Sequence, residues 1–224
     1  MKQSTDLLKY ESLAFFGKVN ASISHELKNI MAIISETAGL LGDMADMAST
    51  GNPVSPEALK TYTGSVIEEI QRGFTTIRQM NRFSHSVDTP IAEINLTELI
   101  ELVINLTGYL SFSGKAHVHN CDAGKPLVKT CPFILQSLVY QALVTHYKNG
   151  GPGIETTISV CSQDQNIWRI IFSEMNQGNQ IFPDDISQEM AKSIGVKIVS
   201  NAGRLELDVP VSIKGAHSQK VGLF

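Results

Sequence analysis

Residues 21–34 have the sequence ASISHELKNIMAII, in which two polar side chains, His25 and Glu26, interrupt an apolar helical pattern. No proline occurs around this stretch, from about Asp6 to Ala48. Apolar residues recur there at alternating steps of three and four, which predicts a long helix packed in a coiled coil or bundle. The predicted seam contains Leu13, Phe16, Ile23, Leu27, Ile30, Ile34, Leu41 and Met44, with Asn20 and Thr37 filling its gaps.

A second long helix is predicted from about Pro56 to Ser84. The segment STGNPVSPE has two prolines and a glycine, so the first helix must end there. Ser55 is a natural N-cap, and Pro56 suits the first helical position. Because the connection is short, the two helices are predicted to be antiparallel neighbours. The apolar stripe of the second helix contains Leu59, Tyr62, Val66, Ile70, Ile77 and Met80.

Two helices alone cannot enclose a core, so the stripe of this helical hairpin needs a further cover. Two hairpins that pair into a four-helix bundle would supply it, which predicts a homodimer. The alternative is that the C-terminal half of the same chain covers the stripe.

The C-terminal half mixes helices and strands without a strict βαβ alternation, which favours an α+β sandwich. We therefore predict two domains, a helical hairpin over residues 1–88 and an α/β sandwich over residues 89–224. The expected elements are a helix over 95–110, a strand AHVHN, a helix over 132–147, strands TTISVCS and IWRIIFSE, a helix ISQEMAKSIGVKIVSNA and a strand RLELDVPVSI.

Bulk composition excludes several classes of protein. The net charge of −4 and the absence of a Lys/Arg run argue against nucleic-acid binding. No apolar stretch reaches the roughly 18–20 residues of a membrane span, and the N-terminus does not resemble a secretion signal. Cys121, Cys131 and Cys161 are an odd number of cysteines without metal-type spacing, which predicts reduced, buried thiols and a cytoplasmic location.

The heptad pattern also predicts the direction of His25. With Ile23 and Leu27 on the seam, His25 falls on the outward position of the helix, and Asn29 lies one turn further along the same face. A solvated polar patch is the simplest interpretation. A zinc-protease motif would need a second histidine where Asn29 stands. The third interpretation is a nucleophilic imidazole, because a neutral ring can attack phosphorus when a neighbour such as Glu26 holds its other N–H.

The stretch ISHELKN resembles the phosphoacceptor box of two-component sensor histidine kinases, whose dimerisation and phosphotransfer domain is a helical hairpin. The resemblance extends over about residues 10–86. It implies that His25 carries the phosphoryl group, that Glu26 acts as a base and that Asn29 positions water or the phosphoryl group. Ile30 departs from the pattern, because this family often has a proline there.

Residues 95–224 resemble a degenerate form of the ATP-binding domain of those kinases. Val144 or a neighbour stands where the family has an Mg²⁺-binding asparagine, and a valine offers no oxygen to a hard cation. Glu174 and Gly178 are what is left of the adenine-binding box. Gly195 alone is left of the phosphate-binding glycines, with Ala191 and Ser193 in place of others. The resemblance therefore predicts no cofactor bound by this chain.

Three functions are consistent with these features. The first is a histidine phosphotransferase that relays phosphoryl groups through His25 to or from aspartates of response-regulator receiver domains, with Mg²⁺ on the receiver. A hybrid histidine kinase is a further candidate partner. The second is a divergent histidine kinase and phosphatase that phosphorylates His25 with ATP. The third is a pseudokinase scaffold without phosphotransfer.

Overall fold

The computed structural model describes residues 2–108, 114–122, 124–151, 153–174, 181–201 and 203–213. The chain forms two compact units, Asn20–Arg82 on the one hand and Met1–Val19 with Phe83–Phe224 on the other. The predicted division into domains at residue 88 stays a prediction. The elements in chain order are α1 (Lys2–Ser49), α2 (Pro56–Ser84), a 3₁₀ turn (His85–Val87), β1 (Ala92–Asn95), α3 (Leu96–Gly108), β2 (Gly114–Asn120), β3 (Leu127–Thr130), α4 (Pro132–Gly150), β4 (Ile154–Asp164), β5 (Ile167–Phe172), α5 (Asp185–Ser193), β6 (Lys197–Asn201) and β7 (Arg204–Pro210).

The unit Asn20–Arg82 is the predicted helical hairpin. The second helix begins at Pro56, and the Ser55 hydroxyl accepts a hydrogen bond from the Ala58 backbone N–H at 3.3 Å, as expected of an N-cap. Ile23 and Ile30 are fully buried and Thr37 is buried as well, so the predicted seam is correct over this stretch of α1.

The N-terminal part of the predicted seam is wrong. Leu13 is 65% exposed, whereas Ser12, Phe15 and Val19 are buried. Phe15 lies in an aromatic cluster within its own unit, with ring centroids 5.4 Å from Phe83, 5.3 Å from Phe133 and 5.0 Å from Tyr140. Offset and edge-on aromatic packing of this kind sets which face of the helix is covered. The buried face before Asn20 therefore follows these rings rather than the heptad frame.

The buried face of α2 also differs from the predicted stripe. Gly73 and Thr76 are buried, whereas the predicted stripe residues Leu59, Ile70 and Ile77 are exposed. A Cβ atom at Gly73 would lie 3.6 Å from Cγ2 of Ile30, an ordinary van der Waals distance, so Ile30 of α1 packs against α2 at Gly73. The exposed residues of the predicted stripe lie outside this contact.

The other unit contains a five-stranded sheet with the strand order β2-β4-β5-β7-β6. Strands β2 and β4 are parallel, and the remaining pairs are antiparallel. One face of the sheet is apolar and buried, because Ile158 and Val160 of β4, Ile170 of β5 and Leu207 of β7 are all inaccessible. Helix α4 is almost entirely buried along residues 132–140. The predicted α+β fold class is confirmed.

The start of α3 follows the prediction. The Asn95 side-chain oxygen accepts a hydrogen bond from the Thr97 backbone N–H at 2.9 Å and caps the helix. Leu99, Leu102, Val103 and Leu106 of this helix are all buried. Strands β1 and β3 were not predicted, and they pair with each other as a two-stranded antiparallel sheet, while Lys129 of β3 also forms a parallel bridge to Ser212. No helix in the described ranges is both long and apolar enough to cross a membrane.

The predicted long helix over residues 186–202 is wrong in its second half. Helix α5 ends at Ser193, and residues 197–201 form strand β6 instead. Gly195, with a φ of 71°, supplies the left-handed turn between them. Strand β6 is held by its pairing with β7, which matches Ile198 with Leu207. This hairpin pairing with the next strand overrides the helical pattern within the segment.

The prediction of three reduced thiols is also wrong for two of them. A disulfide joins Cys121 and Cys161, whose Cα atoms lie 5.0 Å apart, and Cys131 is a buried free cysteine. The pair continues the parallel register of β2 and β4, in which Asn120 faces Val160. Burial raises the pKa of the Cys131 thiol, so little reactive thiolate forms there in the native protein.

Thiol counting tests this pairing directly. The protein is unfolded in guanidinium and treated with iodoacetamide without a reductant. It should gain one carbamidomethyl group, at Cys131, because the sulfurs of the other two cysteines are bonded to each other. After dithiothreitol it should gain three, as read by mass spectrometry. Three adducts without reductant would show that Cys121 and Cys161 are free in solution.

Candidate functional site

His25 lies on the exposed face of α1 within the unit Asn20–Arg82. Ile23 and Ile30, on either side of it, are fully buried. An α-helix turns by about 100° per residue, so a residue two positions after a buried one faces nearly the opposite way. The imidazole is therefore open to a molecule approaching from solvent, on a helix whose position is held by buried neighbours.

The side chain of Asn29 contacts the imidazole. Asn29 Nδ2 lies 3.3 Å from His25 Nδ1, one helical turn away on the same exposed face. The two ends of the amide are interchangeable by rotation of the side chain. When the amide nitrogen donates to Nδ1, the ring proton must be on Nε2. When the amide oxygen faces the ring instead, Nδ1–H donates to it and the Nε2 lone pair becomes available for attack.

Glu26 takes part in an ion pair across the hairpin. Its Oε1 atom lies 2.9 Å from Nη2 of Arg72 on α2, and the carboxylate side chain is only 18% exposed. Nη1 of Arg72 lies 2.8 Å from Oε1 of Glu69, so the guanidinium bridges two carboxylates. The structure thus brings together His25 with Asn29 and Glu26 with Arg72. The predicted base role of Glu26 stays a prediction.

Arg72 and Glu69 were not among the predicted site residues. Their spacing of three along α2 indicates an ion pair on one helix, which occurs on many solvated helix surfaces. Only the relative placement of α1 and α2 brings Arg72 next to Glu26, and that placement is not encoded in either helix alone.

The predicted remnants of a nucleotide site lie in the other unit. Val144 is half-buried on α4, and three residues earlier Oε1 of Gln141 accepts a hydrogen bond from the Ser187 hydroxyl at 2.6 Å. Glu174 is exposed just after β5 and has a φ of 61°, a left-handed conformation that is uncommon for a residue with a side chain. Gly178 lies outside the described residues. No group of three His, Cys, Asp or Glu side chains suited to a metal ion occurs in the described ranges.

Gly195 has a structural role at the C-terminal end of α5. The Val196 N–H donates to the Ala191 carbonyl at 2.9 Å, and the Gly195 N–H donates to the Lys192 carbonyl at 3.2 Å. These two bonds with a left-handed glycine form a Schellman motif, which satisfies the last carbonyls of a helix. Ala191 and Ser193, the positions predicted to replace phosphate-binding glycines, are inside α5. Helix C-terminal ends carry partial negative charge and repel phosphate.

The N-terminal end of α5 is acidic. The Asp184 carboxylate accepts a hydrogen bond from the Ser187 backbone N–H at 2.8 Å and caps the helix. Asp185 occupies the first turn. A phosphate binds at a helix N-terminus through free backbone N–H groups and the positive end of the helix dipole. Here a carboxylate already occupies that place, and a second carboxylate adds repulsion.

The chain is similar in fold to several solved structures. No protein-family model matches the chain, and no curated protein sequence matches it. One similar structure is the catalytic domain of histidine kinase ThkA, with 14% identity, 55% of this chain and 99% of that chain covered, and a TM-score of 0.45. Another is a bacterial phosphotransferase, with 10% identity, 88% and 95% covered, and a TM-score of 0.48.

A third is histidine kinase ThkA in complex with the response regulator protein TrrA, with 17% identity, 92% of this chain and 65% of that chain covered, and a TM-score of 0.43. The similarity is thus to histidine kinase domains in the described fold. At these identities and TM-scores it assigns no activity, and any functional conclusion depends on the residues of this chain.

His146 of α4 is a buried titratable group outside the hairpin. Burial lowers its pKa from the ordinary value of 6.5, and the negative charge of Glu174 opposes that shift. The folded protein therefore resists protonation of His146, whereas the unfolded chain accepts the proton near pH 6.5. The stabilisation from the neutral, buried ring is complete above that pH and is lost as the pH falls below it.

This predicts a pH dependence of stability specific to His146. Between pH 7.5 and 5.0, the free energy of unfolding of wild type should fall more steeply than that of His146→Gln, because glutamine binds no proton on unfolding. Guanidinium titrations at several pH values give the comparison. Parallel slopes for the two proteins would contradict the buried, neutral histidine.

Proposed function

We propose that this protein is a histidine phosphotransferase in which His25 accepts a phosphoryl group from one response-regulator receiver domain and passes it to another. The observation that carries the proposal is the exposed imidazole of His25 with Asn29 at 3.3 Å from its Nδ1 atom, between buried seam residues. An exposed acceptor on a rigid helix suits a reaction in which the phosphoryl donor is attached to another protein.

In the proposed reaction, the Nε2 lone pair of His25 attacks the phosphorus of an aspartyl phosphate. The N–P bond forms while the P–O bond to the aspartate breaks, so the receiver recovers its carboxylate. Nδ1 keeps its proton and donates a hydrogen bond to the amide oxygen of Asn29, and the ring carries the positive charge until transfer onward. Mg²⁺ on the receiver would offset the charge of the phosphoryl oxygens. The same steps in reverse deliver the group to a second aspartate.

Three features of the unit formed by Met1–Val19 and Phe83–Phe224 support a relay that does not use ATP. The retained glycine, Gly195, is committed to a helix C-cap, and Asp184 and Asp185 occupy the helix end that would otherwise attract phosphate. Val144 offers no oxygen to Mg²⁺. In the proposal, this unit contributes a surface for partner docking, and the metal belongs to the partner.

Exposed apolar side chains on the hairpin support a homodimer. Apart from Met31 and Leu59, those on α2 recur at steps of three and four and those on α1 at steps of seven, so each of these sets follows one side of its helix. Large apolar surfaces of this kind in a soluble protein are usually covered by a partner, and pairing of two hairpins is the predicted arrangement. They are Ile67, Ile70, Phe74 and Ile77 on α2, and Ile33, Leu40 and Met47 on α1.

In this proposal the exchange takes place in the cytoplasm. The partners are receiver domains of response regulators, including that of a hybrid histidine kinase. An autophosphorylating kinase and a pseudokinase scaffold are the alternatives, and each gives a different outcome in the next two experiments.

Incubation with a ³²P-labelled receiver domain tests the transfer. Wild type should acquire acid-labile, base-stable label, and His25→Ala should acquire none, because the accepting nitrogen is absent. His85→Ala is the matched control, since His85 is also an exposed histidine. It should be labelled like wild type. Both variants should keep the oligomeric state of wild type in gel filtration, because neither removes a buried contact. A wild-type protein that leaves the label on the receiver would indicate a scaffold.

A nucleotide titration tests the source of the phosphoryl group. Isothermal titration with ATP and Mg²⁺ should show no binding tighter than about 1 mM, which corresponds to a free energy weaker than about −4 kcal/mol. Labelled ATP should leave His25 unlabelled in the absence of a partner. Acid-labile label on His25 from ATP alone would establish a kinase instead of a relay.

A further inference from the structure

We propose that Arg72 is a positioning residue for phosphoryl transfer at His25 and that it acts through Glu26. This inference rests on the proposed function, and it adds a residue on the second helix to a site otherwise built on the first.

The ion pairs of Arg72 are the starting observation. One guanidinium nitrogen contacts Glu26 at 2.9 Å and another contacts Glu69 at 2.8 Å, so the planar fork is held by two carboxylates at once. Both carboxylate side chains are largely shielded, at 18% and 15% exposure. A lysine could not make this arrangement, because its ammonium is a point charge without a fork.

The position of Glu26 explains why it needs a partner. It follows His25 directly, so it lies about 100° round the helix, on the side that faces α2. A glutamate on a helix otherwise samples several rotamers. The contact with Arg72 selects one of them and holds the carboxylate on the side of α1 that faces α2, so it is not free to move into the path of the donor.

The negative charge of Glu26 is the second reason why it needs a cationic partner. The phosphoryl group that approaches His25 carries negative charge, and an uncompensated Glu26 carboxylate next to the ring would repel it. The guanidinium of Arg72 offsets the charge of the Glu26 carboxylate through direct contact with it. Since Glu69 also binds Arg72, the cation is tied to the hairpin and stays there when the donor arrives.

Stability is a poor explanation for this pair. Arg72 is 43% exposed, and ion pairs with exposed partners contribute little to folding because solvent screens them and ordering long side chains costs entropy. Removal of the charge should therefore leave the hairpin folded, which makes the function of Arg72 testable on its own.

The test is a double-mutant cycle with Arg72→Met and Glu26→Gln, measured as transfer from a labelled receiver domain. Methionine keeps the length of the apolar stem and removes the charge. Arg78→Met is the matched control, because Arg78 lies on the same helix and hydrogen-bonds to Thr75 of that helix. Thermal melting by circular dichroism accompanies each variant and should stay within a few degrees of wild type.

Arg72→Met should lower the transfer rate at saturating receiver by roughly ten- to a hundredfold, the usual effect of a misplaced catalytic neighbour, while KM for the receiver stays within about twofold. Arg78→Met should transfer like wild type. In the Glu26→Gln background, Arg72→Met should cause no further loss, because the group through which Arg72 acts is already altered.

Three results would overturn the inference. They are an Arg72→Met rate equal to that of Arg78→Met, a loss of the same size in the Glu26→Gln background, or an effect on KM alone. The second would mean that Arg72 contacts the phosphoryl group itself, and the third that it belongs to the docking surface. If wild type and Arg78→Met both fail to take up phosphate, the proposed function is wrong and this inference falls with it.

Discussion

The burial of Ile23 and Ile30 on one face of α1 is the constraint on which the rest of the site depends. Two turns of helix separate them, and His25 is, with Lys28, one of the two side chains between them at the greatest angular distance from the core. The imidazole must face solvent as long as those two isoleucines stay in the core. Asn29 shares its face because four residues make slightly more than one turn. Glu26, one step round the helix, falls at the margin of the hairpin contact, where a carboxylate can meet a cation from α2.

The site therefore contains two different contacts, a neutral one between Asn29 and His25 and a charged one between Arg72 and Glu26. The amide of Asn29 can donate or accept, so it can stay in contact with Nδ1 of His25 while the ring changes its protonation state. Arg72 remains charged throughout and holds Glu26 at the other side. A group that must release phosphate as readily as it accepts it benefits from neighbours that stabilise both states by similar amounts, since neither state then becomes a trap.

In the unit that contains the five-stranded sheet, the residues that hold the fold differ from those that a phosphate site would need. The sheet and the buried face of α4 need only apolar side chains at the right positions, and those are present from Ile158 to Leu207. A phosphate site needs free backbone N–H groups at a helix N-terminus, and there the Asp184 carboxylate already accepts the N–H of Ser187. A helix cap and an anion site compete for the same donors, so a stable cap at this end of α5 excludes the other use.

The sequence by itself determined the features that depend on local periodicity. The ends of α2, the cap of α3 at Asn95, the α+β fold class and the outward direction of His25 all follow from spacing and capping within one segment. What only the tertiary structure decided depends on partners outside the segment itself. Strand β6 forms because β7 is available to pair with it, although its residues continue a helical pattern. Arg72 meets Glu26 only because two helices approach in one particular register. The reason is the same in both cases: a periodic pattern specifies which side of a segment is buried, but the segment that covers it, and the register of their contact, are set by the packing of the whole unit.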